Sequence, residues 1–321
     1  MLNAIVERIR NYEGVTRKHP IKDLTESFKD IDDYGNTVIS FGDDSAVIAS
    51  GDEYLLFAAD GIWARLMEND PVWAGYCAVL ANVNDIYAMG GRPLALTNIM
   101  SLKDIESSSD ILKGIAMGCN KFKVPMVGGH LHPQTEVLSL SVSIIGKASS
   151  LITSFDAKPG QDILVAIDTT GEQHNGFYNW DSTSKKDSET VVKRLQRLPE
   201  IAEKGLATGG KDISNPGILG TIGMLLETSR VGGIVDIDTI PSPKEVDFLE
   251  WLLMYPGFGF TLTCDPKNTQ QIIGIFEEEN VECKKVGTVT DTRKLIIKNE
   301  HSEKTLFDFE TDIITGVTKR V

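Results

Sequence analysis

Short apolar runs flanked by glycine and acidic residues alternate with longer helical patterns along most of the chain. The runs SAVIAS (residues 45–50) and EYLLFAAD (residues 53–60) have the length and the turn-rich flanks of buried strands. Residues 70–89 show instead the three-and-four spacing of a helix. Because both halves of the chain mix strands and helices and contain no short repeat, the sequence predicts an α/β or α+β fold.

A turn with proline and glycine, AKPGQD, lies at residues 157–162 and separates two halves of similar length. The 321 residues suffice for one large or two medium domains. We therefore predict an N-terminal domain over residues 1–155 and a C-terminal domain over residues 156–321. In the second half, the pattern predicts helices over residues 189–204 and 216–229.

The first forty residues predict two helices separated by a polar segment. The helices are expected near residues 3–12 and 22–28, and the segment EGVTRKH between them is expected to be a solvated loop. Arg17 and Lys18 are basic residues of this segment.

A net charge of −14 argues against a general nucleic-acid binder, because a phosphate backbone requires a basic surface. The sequence has no apolar stretch long enough to cross a bilayer, and its charged N-terminal residues do not resemble a secretory signal, so we expect no membrane partner. The four cysteines are scattered without a Cys-x-x-Cys pair. Their spacing argues against a zinc or disulfide framework and favours the reducing cytoplasm.

Several aspartates stand at the ends of predicted strands or on one face of the predicted helix. Asp43 and Asp44 precede the first apolar run, and Asp60 ends the second. Asp85 lies on the helix, on a face of small residues that would let a backbone or a ligand approach closely. The residues sharing this face with Asp85 are Ala74, Ala78, Ala81 and Asn82.

Carboxylates that converge in a protein interior repel one another unless a cation lies between them. Oxygen ligands without cysteine or paired histidines select a hard cation, most often Mg²⁺, which keeps positions open for phosphate oxygens. The aspartates together therefore indicate a metal–nucleotide site. The alternative for a single helix aspartate is a local partner, so that Asp85 would bond a neighbouring backbone group or Arg92.

A second anion-binding signal lies at residues 208–229. Ser214 or Asn215 is expected to cap the helix that follows, with Pro216 in its first turn. Such a helix start can present free N–H groups to a phosphate, and Lys211 and Asp212 stand just before it. The alternative is a capped helix without a ligand. The common nucleotide motifs G-x-x-x-x-G-K-[ST] and G-x-G-x-x-G after a strand are absent.

Five motifs occur in a characteristic order over nearly the whole chain: GDDSAV, AADG, NVNDIYAMGGRPL, VPMVGGH and KDISNPG, the last followed by LG and LLETS. With these motifs the chain resembles the aminoimidazole ribonucleotide synthetase-like (PurM-like) superfamily. Within it, the sequence is similar to thiamine-monophosphate kinase and to the HypE-type hydrogenase maturation protein. The closest resemblance is to methanogenesis marker protein 2.

The resemblance implies a two-domain PurM-like subunit that binds ATP and Mg²⁺. It implies a homodimer in which the N-terminal domains form a shared β-barrel and the C-terminal α/β domain closes the cleft. The implied magnesium ligands are Asp44, Asp60, Asp85 and Asp212. The implied nucleotide-binding residues are Asp43, Asp60, Asn82, Asp85, Gly128, Gly129, Ser214 and Asn215. The catalytic candidates are His130, Lys211 and Asp212. The resemblance also offers an alternative to a solvated loop for the basic segment with Arg17 and Lys18, which would then fold over the nucleotide.

The sequence departs from the kinase pattern at four motifs, one of which, Glu-Asp-Tyr-Glu, is replaced around residues 256–260. Gly-Gly-Asp is replaced by Gly128-Gly129-His130, Ser-Thr-Asp by Ala58-Ala59-Asp60, and Asp-x-Ser-Asp by residues 212–215, Asp-Ile-Ser-Asn. Fewer carboxylates should weaken the binding of a second and a third cation, which a phosphate acceptor needs most. Thiamine monophosphate is therefore not the expected acceptor. His130 either acts as an acid or base or is a neutral hydrogen-bond partner.

Taken together, these features predict an ATP- and Mg²⁺-dependent enzyme that transfers a phosphoryl group to an oxygen of a small-molecule or protein-borne acceptor. The alternative function is a non-catalytic, ATP-binding assembly or maturation factor of the HypE-like type. The polar and aromatic insertion around His174, Asn175 and residues 178–181 either recognises the substrate or is a surface loop.

Overall fold

Two large β-sheets form the framework of the protein, and an N-terminal helical segment precedes the first of them. The computed structural model describes residues 1–103, 108–174 and 176–318. The N-terminal segment contains α1 (Leu2–Arg10), α2 (Glu13–Thr16) and α3 (Ile21–Glu26). No helix within the described ranges is long and apolar enough to span a membrane.

The first sheet has six strands in the order β1-β2-β3-β6-β4-β5, and only the β4–β5 pair is parallel. Its strands are β1 (Thr37–Ile39), β2 (Ala46–Ser50), β3 (Glu53–Gly61), β4 (Arg92–Ser101), β5 (Met126–His132) and β6 (Ser139–Ala148). The helices of this half are α4 (Ala64–Asn69), α5 (Pro71–Ala88) and α6 (Ser108–Phe122). Helix α5 packs on β3, β4 and β6, and α6 packs against α5.

Glycines let the backbones of α5 and α6 approach closely. A Cβ atom at Gly75 would lie 2.1 Å from the Ile111 carbonyl oxygen, and one at Gly114 would lie 1.9 Å from the Val72 carbonyl oxygen. Any larger residue at either position would force the two helices apart. This contact fixes the position of α5, the helix that carries Asp85.

The second half is built on a seven-stranded sheet in the order β10-β13-β7-β14-β11-β15-β16 and a small sheet in the order β12-β9-β8. The strands are β7 (Asp162–Ile167), β8 (Glu172–Gln173), β9 (Asn179–Asp181), β10 (Gly209–Asp212), β11 (Gly232–Asp236), β12 (Tyr255–Pro256), β13 (Gly259–Cys264), β14 (Glu282–Thr290), β15 (Lys294–Lys298) and β16 (Glu303–Asp308). The helices are α7 (Ser188–Leu195), α8 (Arg197–Glu203), α9 (Gly217–Thr228), α10 (Phe248–Trp251) and α11 (Thr269–Glu277). Two 3₁₀ helices cover Ile237–Thr239 and Pro266–Asn268.

The helix predicted over residues 189–204 is two helices, α7 and α8, which meet at Gln196. Pro199 is the third residue of α8, where its missing N–H does no harm because the first turn of a helix has no internal acceptor for it. The alternative of a surface loop for residues 178–181 is wrong for β9, whose residues 179–181 are all buried. Asn175, part of the same predicted insertion, lies outside the described residues.

The N-terminal helix packs on the second half of the chain. Leu2, Ile5 and Ile9 of α1 and Val15 of α2 belong to the hydrophobic core of the seven-stranded sheet, beside residues such as Phe307 of β16. The prediction of a solvated loop over residues 13–19 is therefore wrong at its start. We keep residues 1–155 and 156–321 as the proposed domains, with α1 crossing from the first to the core of the second.

One face of the six-stranded sheet carries exposed apolar side chains. Along β3, Leu56 and Ala58 are buried, whereas Phe57 between them is 51% exposed. Ile99 on β4 is 53% exposed. The sheet has two edges, β1 and β5, and does not close on itself within the described chain.

Candidate active site

A cavity of about 380 Å³ lies where α5, the end of β3, β10 and the small sheet meet. It is lined by acidic residues from both halves of the chain. We call the charged part of the cavity the acidic end. Its residues are Asp44, Asp60, Asp85, Asp212 and Lys211. Residues far apart in the sequence thus share one cleft, as the sequence predicted.

Three of the four predicted metal ligands form a tight group. Asp44, Asp85 and Asp212 each offer a carboxylate oxygen, and these oxygens lie within 4.8 Å of one another. Oxygens bound to Mg²⁺ at about 2.1 Å lie about 3 to 4 Å apart, so small side-chain movements would let one ion contact all three. The donor set therefore fits a hard cation. Asp60 lines the same cavity but lies outside this group.

The structure distinguishes the roles of the paired aspartates before β2. Asp43 accepts hydrogen bonds from the backbone N–H groups of Ser154 at 2.8 Å and of Asp44 at 3.0 Å. Asp44 instead forms an ion pair with the Lys211 ammonium group and accepts a hydrogen bond from the Asp212 N–H at 3.2 Å. Asp43 therefore holds the loop in place, while Asp44 faces the carboxylates of Asp85 and Asp212.

Three carboxyl groups at the acidic end, those of Asp60, Asp85 and Asp212, have pKa values above their usual range. Burial, followed by repulsion from neighbouring carboxylates, raises the pKa of both Asp85 and Asp212 well above the ordinary value, and Lys211 partly opposes this. Burial also raises the pKa of Asp43 to about 7, against the lowering effect of Lys211. Charged carboxylates are costly in this arrangement, so a cation among them would stabilise it.

Arg17 and Lys18 of the N-terminal segment also line the cavity, although a solvated loop was the expectation for this segment and folding over a ligand only the alternative. The guanidinium carbon of Arg17 lies 4.5 Å from the centre of the Trp63 ring, a cation–π contact. Burial lowers the pKa of Lys18, and Asp60 opposes this shift. The run of basic residues in EGVTRKH was the available signal, but only packing of α2 on the second core brings it to the cleft.

The start of α9 differs from its prediction. Pro216 occupies the N-cap position and no side chain caps the helix, so the prediction of a Ser214 or Asn215 cap is wrong. The chain instead turns through Gly217, whose φ is +75° and whose N–H donates to the Ser214 carbonyl at 2.8 Å. The N–H of Ile218 donates to the Leu252 carbonyl oxygen at 3.0 Å. These two donors are therefore not free for a phosphate.

Ser214 and Asn215 nevertheless line the cavity. The Asn215 Oδ1 atom is buried and has no hydrogen-bond partner among the described residues. Both residues thus reach the cavity from the loop before α9 and not from a helix cap, and their part in nucleotide binding stays a prediction.

The predicted small face of α5 points mostly into the protein. Ala74, Ala78 and Asn82 are fully buried, and the Asn82 Nδ2 group donates to the Ala78 carbonyl oxygen at 2.8 Å. The residues of α5 that line the cavity are Trp73, Cys77, Leu80, Ala81, Asn84 and Asp85. Because α5 is apolar on nearly all sides, its sequence could not show which face meets the cleft.

Asp85 does not pair with Arg92, the partner considered from the sequence. Arg92 forms an ion pair with Glu203 and donates a hydrogen bond to Gln196 at 3.0 Å. The Asp85 carboxylate lies instead at the acidic end of the cavity.

The glycine–histidine motif on β5 is not brought to the cavity by this chain alone. Strand pairing places Asp60 and Gly129 in one row across the sheet, so these two positions lie on the same face. Successive side chains of a strand alternate between faces, so His130 lies on the face opposite to Asp60. His130 is exposed there, with its ring 4.5 Å from the His132 ring. Gly128 precedes this row and lines no part of the cavity.

The other end of the cavity is built from aromatic and uncharged residues. We call it the aromatic end, and its residues are Trp73, Cys77, Phe177, Asn179, Trp180 and Tyr255. The Tyr255 hydroxyl donates to the Asn179 Oδ1 atom at 3.3 Å. Sequence reasoning named Asn179 and Trp180 as a recognition segment but missed Trp73, Asn84 and Tyr255.

Comparison with known proteins gives a consistent result over the whole chain. The family model for the AIR synthase related protein, N-terminal domain, matches residues 42–148, and the model for its C-terminal domain matches residues 158–298. An uncharacterized protein of Methanocaldococcus jannaschii is 46% identical over 98% of this chain and 99% of its own length. Thiamine-monophosphate kinase of Buchnera aphidicola is 24% identical over 85% of this chain and 91% of its own length.

Solved structures with low sequence identity share the fold. T. maritima PurL complexed with ATP has a TM-score of 0.74 and 20% identity, with 85% of this chain covered. This chain spans 46% of that PurL chain, about half its length. AaThiL complexed with AMPPCP and TMP has a TM-score of 0.68 and 16% identity over 91% of this chain and 98% of its own. HypE in a HypE–HypF complex has a TM-score of 0.65 and 16% identity, over 89% of this chain and 99% of its own. The predicted two-domain α/β fold is thereby confirmed.

Proposed function

Because the chain belongs to the AIR synthase related protein family, we propose that it is an ATP- and Mg²⁺-dependent enzyme that transfers a phosphoryl group to an oxygen of a small-molecule or protein-borne acceptor. The observation that carries this proposal is the group of carboxylates from Asp44, Asp85 and Asp212, which opens on a cavity between the two halves of the chain. The resemblance to the superfamily is confirmed by the family match, whereas the closer likeness to methanogenesis marker protein 2 stays a prediction.

In the proposed reaction, Asp44, Asp85 and Asp212 hold the cation, with Asp60 at the edge of the same site. Mg²⁺ bound at this position would neutralise phosphate charge and polarise the transferred group. Lys211 adds a fixed positive charge beside Asp44, where negative charge develops during transfer.

Nucleotide binding is supported by the relatives and by the residues around the acidic end. Among the solved structures that share the fold, PurL is complexed with ATP and AaThiL with AMPPCP. In this chain, Arg17 and Lys18 from the N-terminal segment place positive charge on the cavity wall beside Asp60. Ser214 and Asn215 supply uncharged polar groups on the same wall.

Thermal unfolding with and without Mg²⁺ tests the proposal. A ligand that binds only the folded state at about 100 times its Kd stabilises that state by about 2.7 kcal/mol. We expect ATP with MgCl₂ to raise the unfolding temperature clearly, and ATP with EDTA to raise it little. An equal shift in both conditions would contradict a carboxylate-held cation. Formation of ADP, measured by chromatography, then tests for transfer.

The second candidate function is a non-catalytic, ATP-binding assembly or maturation factor. Two observations favour it: Lys211 already neutralises Asp44, and the kinase-like Gly-Gly-Asp motif ends here in His130, on the exposed face of the sheet. Likeness of fold to HypE in a HypE–HypF complex is in keeping with such a role. Tight Mg²⁺-dependent ATP binding without ADP formation, in the presence of cell extract as a source of acceptors, would favour this candidate over the enzyme.

We further propose that two copies of the chain pair through the exposed face of the six-stranded sheet. Phe57 and Ile99 expose large apolar side chains there, and burial of such side chains drives association. The double variant Phe57→Asp/Ile99→Asp is expected to be monomeric by light scattering coupled to size exclusion, whereas the unaltered protein is dimeric. Met117→Asp, at an exposed apolar residue of α6, is the matched control and should leave the dimer intact. A monomeric unaltered protein would overturn this proposal.

A cytoplasmic location also belongs to the proposal. All four cysteines are free thiols in the structure, and three of them, Cys77, Cys264 and Cys283, are buried. Free buried thiols suit a reducing compartment.

A further inference from the structure

Asn84 carries a buried polar atom without a partner at the junction of the two ends of the cavity. The side chain is 4% exposed, and its Nδ2 group donates to the Gly257 carbonyl oxygen at 3.2 Å. This bond fixes the orientation of the amide, because only its nitrogen can donate to a carbonyl oxygen. The Oδ1 atom therefore has no hydrogen-bond partner among the described residues. An unsatisfied buried acceptor costs about 1 to 3 kcal/mol, a cost that a bound ligand with an N–H or O–H group would remove.

Trp73 carries a second unpaired atom at the far part of the aromatic end. Its Nε1 atom is buried without a partner among the described residues, and the side chain is 6% exposed. The indole ring is held between the rings of His174, 4.3 Å away, and Tyr76, 5.2 Å away. His174 is in turn held by a contact of 2.9 Å with the Asp70 carboxylate. The ring is thus fixed in place and its N–H is a donor that a ligand can use.

The spacing of the two unpaired groups sets the shape of the ligand. Both residues lie on α5, eleven positions apart, and a helix rises 1.5 Å per residue, so their backbones are separated by about 16 Å along the helix axis. A ligand that contacts both must lie lengthwise along α5. Between them the cavity wall is Cys77, Leu80 and Ala81, faced by aromatic rings, which suits a flat apolar body.

The charges around the aromatic end differ from one side to the other: Arg17 acts on Tyr255, whereas the part beside Cys77 is unsuited to a negative charge. None of the described residues that define the aromatic end is charged, and its polar group Asn179 is already bonded to Tyr255 and to the Cys77 sulfur. Burial, and then the nearby carboxylates of Asp181 and Asp70, raise the pKa of the Cys77 thiol well above its usual range. The same carboxylates would repel an anion placed beside Cys77.

We propose that the acceptor is a flat heteroaromatic compound without negative charge, which lies along α5 at the aromatic end, donates a hydrogen bond to Asn84 and accepts one from Trp73. The inference rests on the proposed function, since it names the acceptor class for the same cavity. In this orientation the reactive end of the acceptor lies beside the carboxylates of Asp44, Asp85 and Asp212. A phosphate ester, such as the TMP of the AaThiL complex, falls outside this class.

Matched pairs of small probes test the inference without knowledge of the natural acceptor. The probes are indole-3-carboxamide with indole-3-carboxylate and nicotinamide with nicotinate, each measured by ligand-observed NMR titration at neutral pH. Each probe is shorter than the distance between Trp73 and Asn84, so one probe molecule tests one end of the proposed acceptor at a time, and the comparison of amide with carboxylate tests the hydrogen bond to Asn84. We expect the amides to bind at least about tenfold more tightly than the carboxylates, since a site with fixed hydrogen-bond groups rejects a mismatched analogue strongly. Equal affinity within a pair, or no saturable binding of either amide at millimolar concentration, would overturn the proposal.

Variants identify the groups responsible. Trp73→Phe removes the indole N–H but keeps an aromatic ring, and Asn84→Leu removes the unpaired oxygen at similar volume. Asn84→Leu should reduce the preference for amide over carboxylate to about threefold or less, because only the amide can donate to the Asn84 Oδ1 atom. Trp73→Phe should instead weaken a probe bound at the far part of the aromatic end, whether amide or carboxylate, because both accept from the indole N–H. Asn120→Leu, at an exposed asparagine of α6, is the control and should leave the preference unchanged. Unchanged preference in Asn84→Leu together with unchanged affinity in Trp73→Phe would show that the probes bind elsewhere.

Competition with nucleotide separates this inference from the proposed function. If ATP with MgCl₂ displaces the amides, the aromatic end holds the adenine base and the acceptor assignment is wrong. If the amides keep their preference while ATP fails to bind, the subsite stands and the phosphoryl-transfer proposal falls.

Discussion

Replacing Asp85 with asparagine is expected to weaken Mg²⁺-dependent ATP binding by about 100-fold, because even residues that only support metal ligands contribute about 10- to 100-fold in affinity. The Asp85 carboxylate is one of three whose oxygens lie within 4.8 Å of one another. An amide oxygen in its place carries no net charge and neutralises less of the cation. Calorimetric titration of ATP in the presence of MgCl₂ measures the loss.

The same substitution should leave the metal-free protein as stable as before or more stable. Burial and neighbouring carboxylates raise the pKa of Asp85 well above its ordinary value. The charged form is therefore disfavoured in the folded state near neutral pH, and this cost is absent from the Asp85→Asn variant. Asp52→Asn, in the exposed turn between β2 and β3, is the matched control for both measurements. Wild-type ATP affinity in Asp85→Asn would reject the metal assignment.

Replacing Arg194 with methionine is expected to cost about 3 to 5 kcal/mol of unfolding free energy, the usual effect of breaking a buried ion pair by removing one partner. Arg194 is 6% exposed and pairs with Asp168, which is 1% exposed. The Arg194 Nε group also donates to the Glu279 carbonyl oxygen at 3.0 Å. Without the guanidinium group, Asp168 keeps only the Lys186 ammonium, 3.0 Å away, as a cationic partner among the described residues. Urea denaturation measures the loss.

A double variant separates the buried charge from the lost packing. Arg194→Met/Asp168→Asn should lose less stability than Arg194→Met alone, because the unpaired carboxylate is gone. Lys204→Met, which removes an exposed pair with Glu200, is the control and should cost less than about 1 kcal/mol. An equal loss in the single and double variants would show that packing of the arginine, and not its charge, is what matters.

The gathering of acidic residues in one cavity could be anticipated from residue type, whereas the bound cation stays a prediction. Asp44, Asp60, Asp85 and Asp212 stand out in the sequence as acidic residues at element ends or beside small residues, and mutual repulsion alone suggests a shared cation. The strands and the two-domain α/β architecture followed from apolar periodicity and from the resemblance in motif order. Both are confirmed by the family match and by the shared fold.

The direction in which each side chain points was harder to predict than the residue types that form the site. Helix α5 is buried on most sides, so its sequence could not show that the stripe with Trp73 and Asn84 faces the cavity while Asn82 faces inward. On β5, a shift of one residue moves a side chain to the other face of a sheet, and this places His130 opposite to Asp60. The start of α9 depends on the turn at Gly217 and on its long-range contact with Leu252, which no local propensity encodes.

Helix α1 packs against β16 near the other end of the chain, and its apolar face is completed by residues such as Leu306 and Phe307. During synthesis α1 leaves the ribosome about 290 residues before β16, so Leu2, Ile5 and Ile9 remain without their neighbours from β16 while the segment between them is made. Contacts of such long sequence separation form slowly, and apolar surface exposed in the meantime attracts chaperones or other nascent chains. The yield of folded protein is therefore expected to depend on how fast the segment between α1 and β16 is translated.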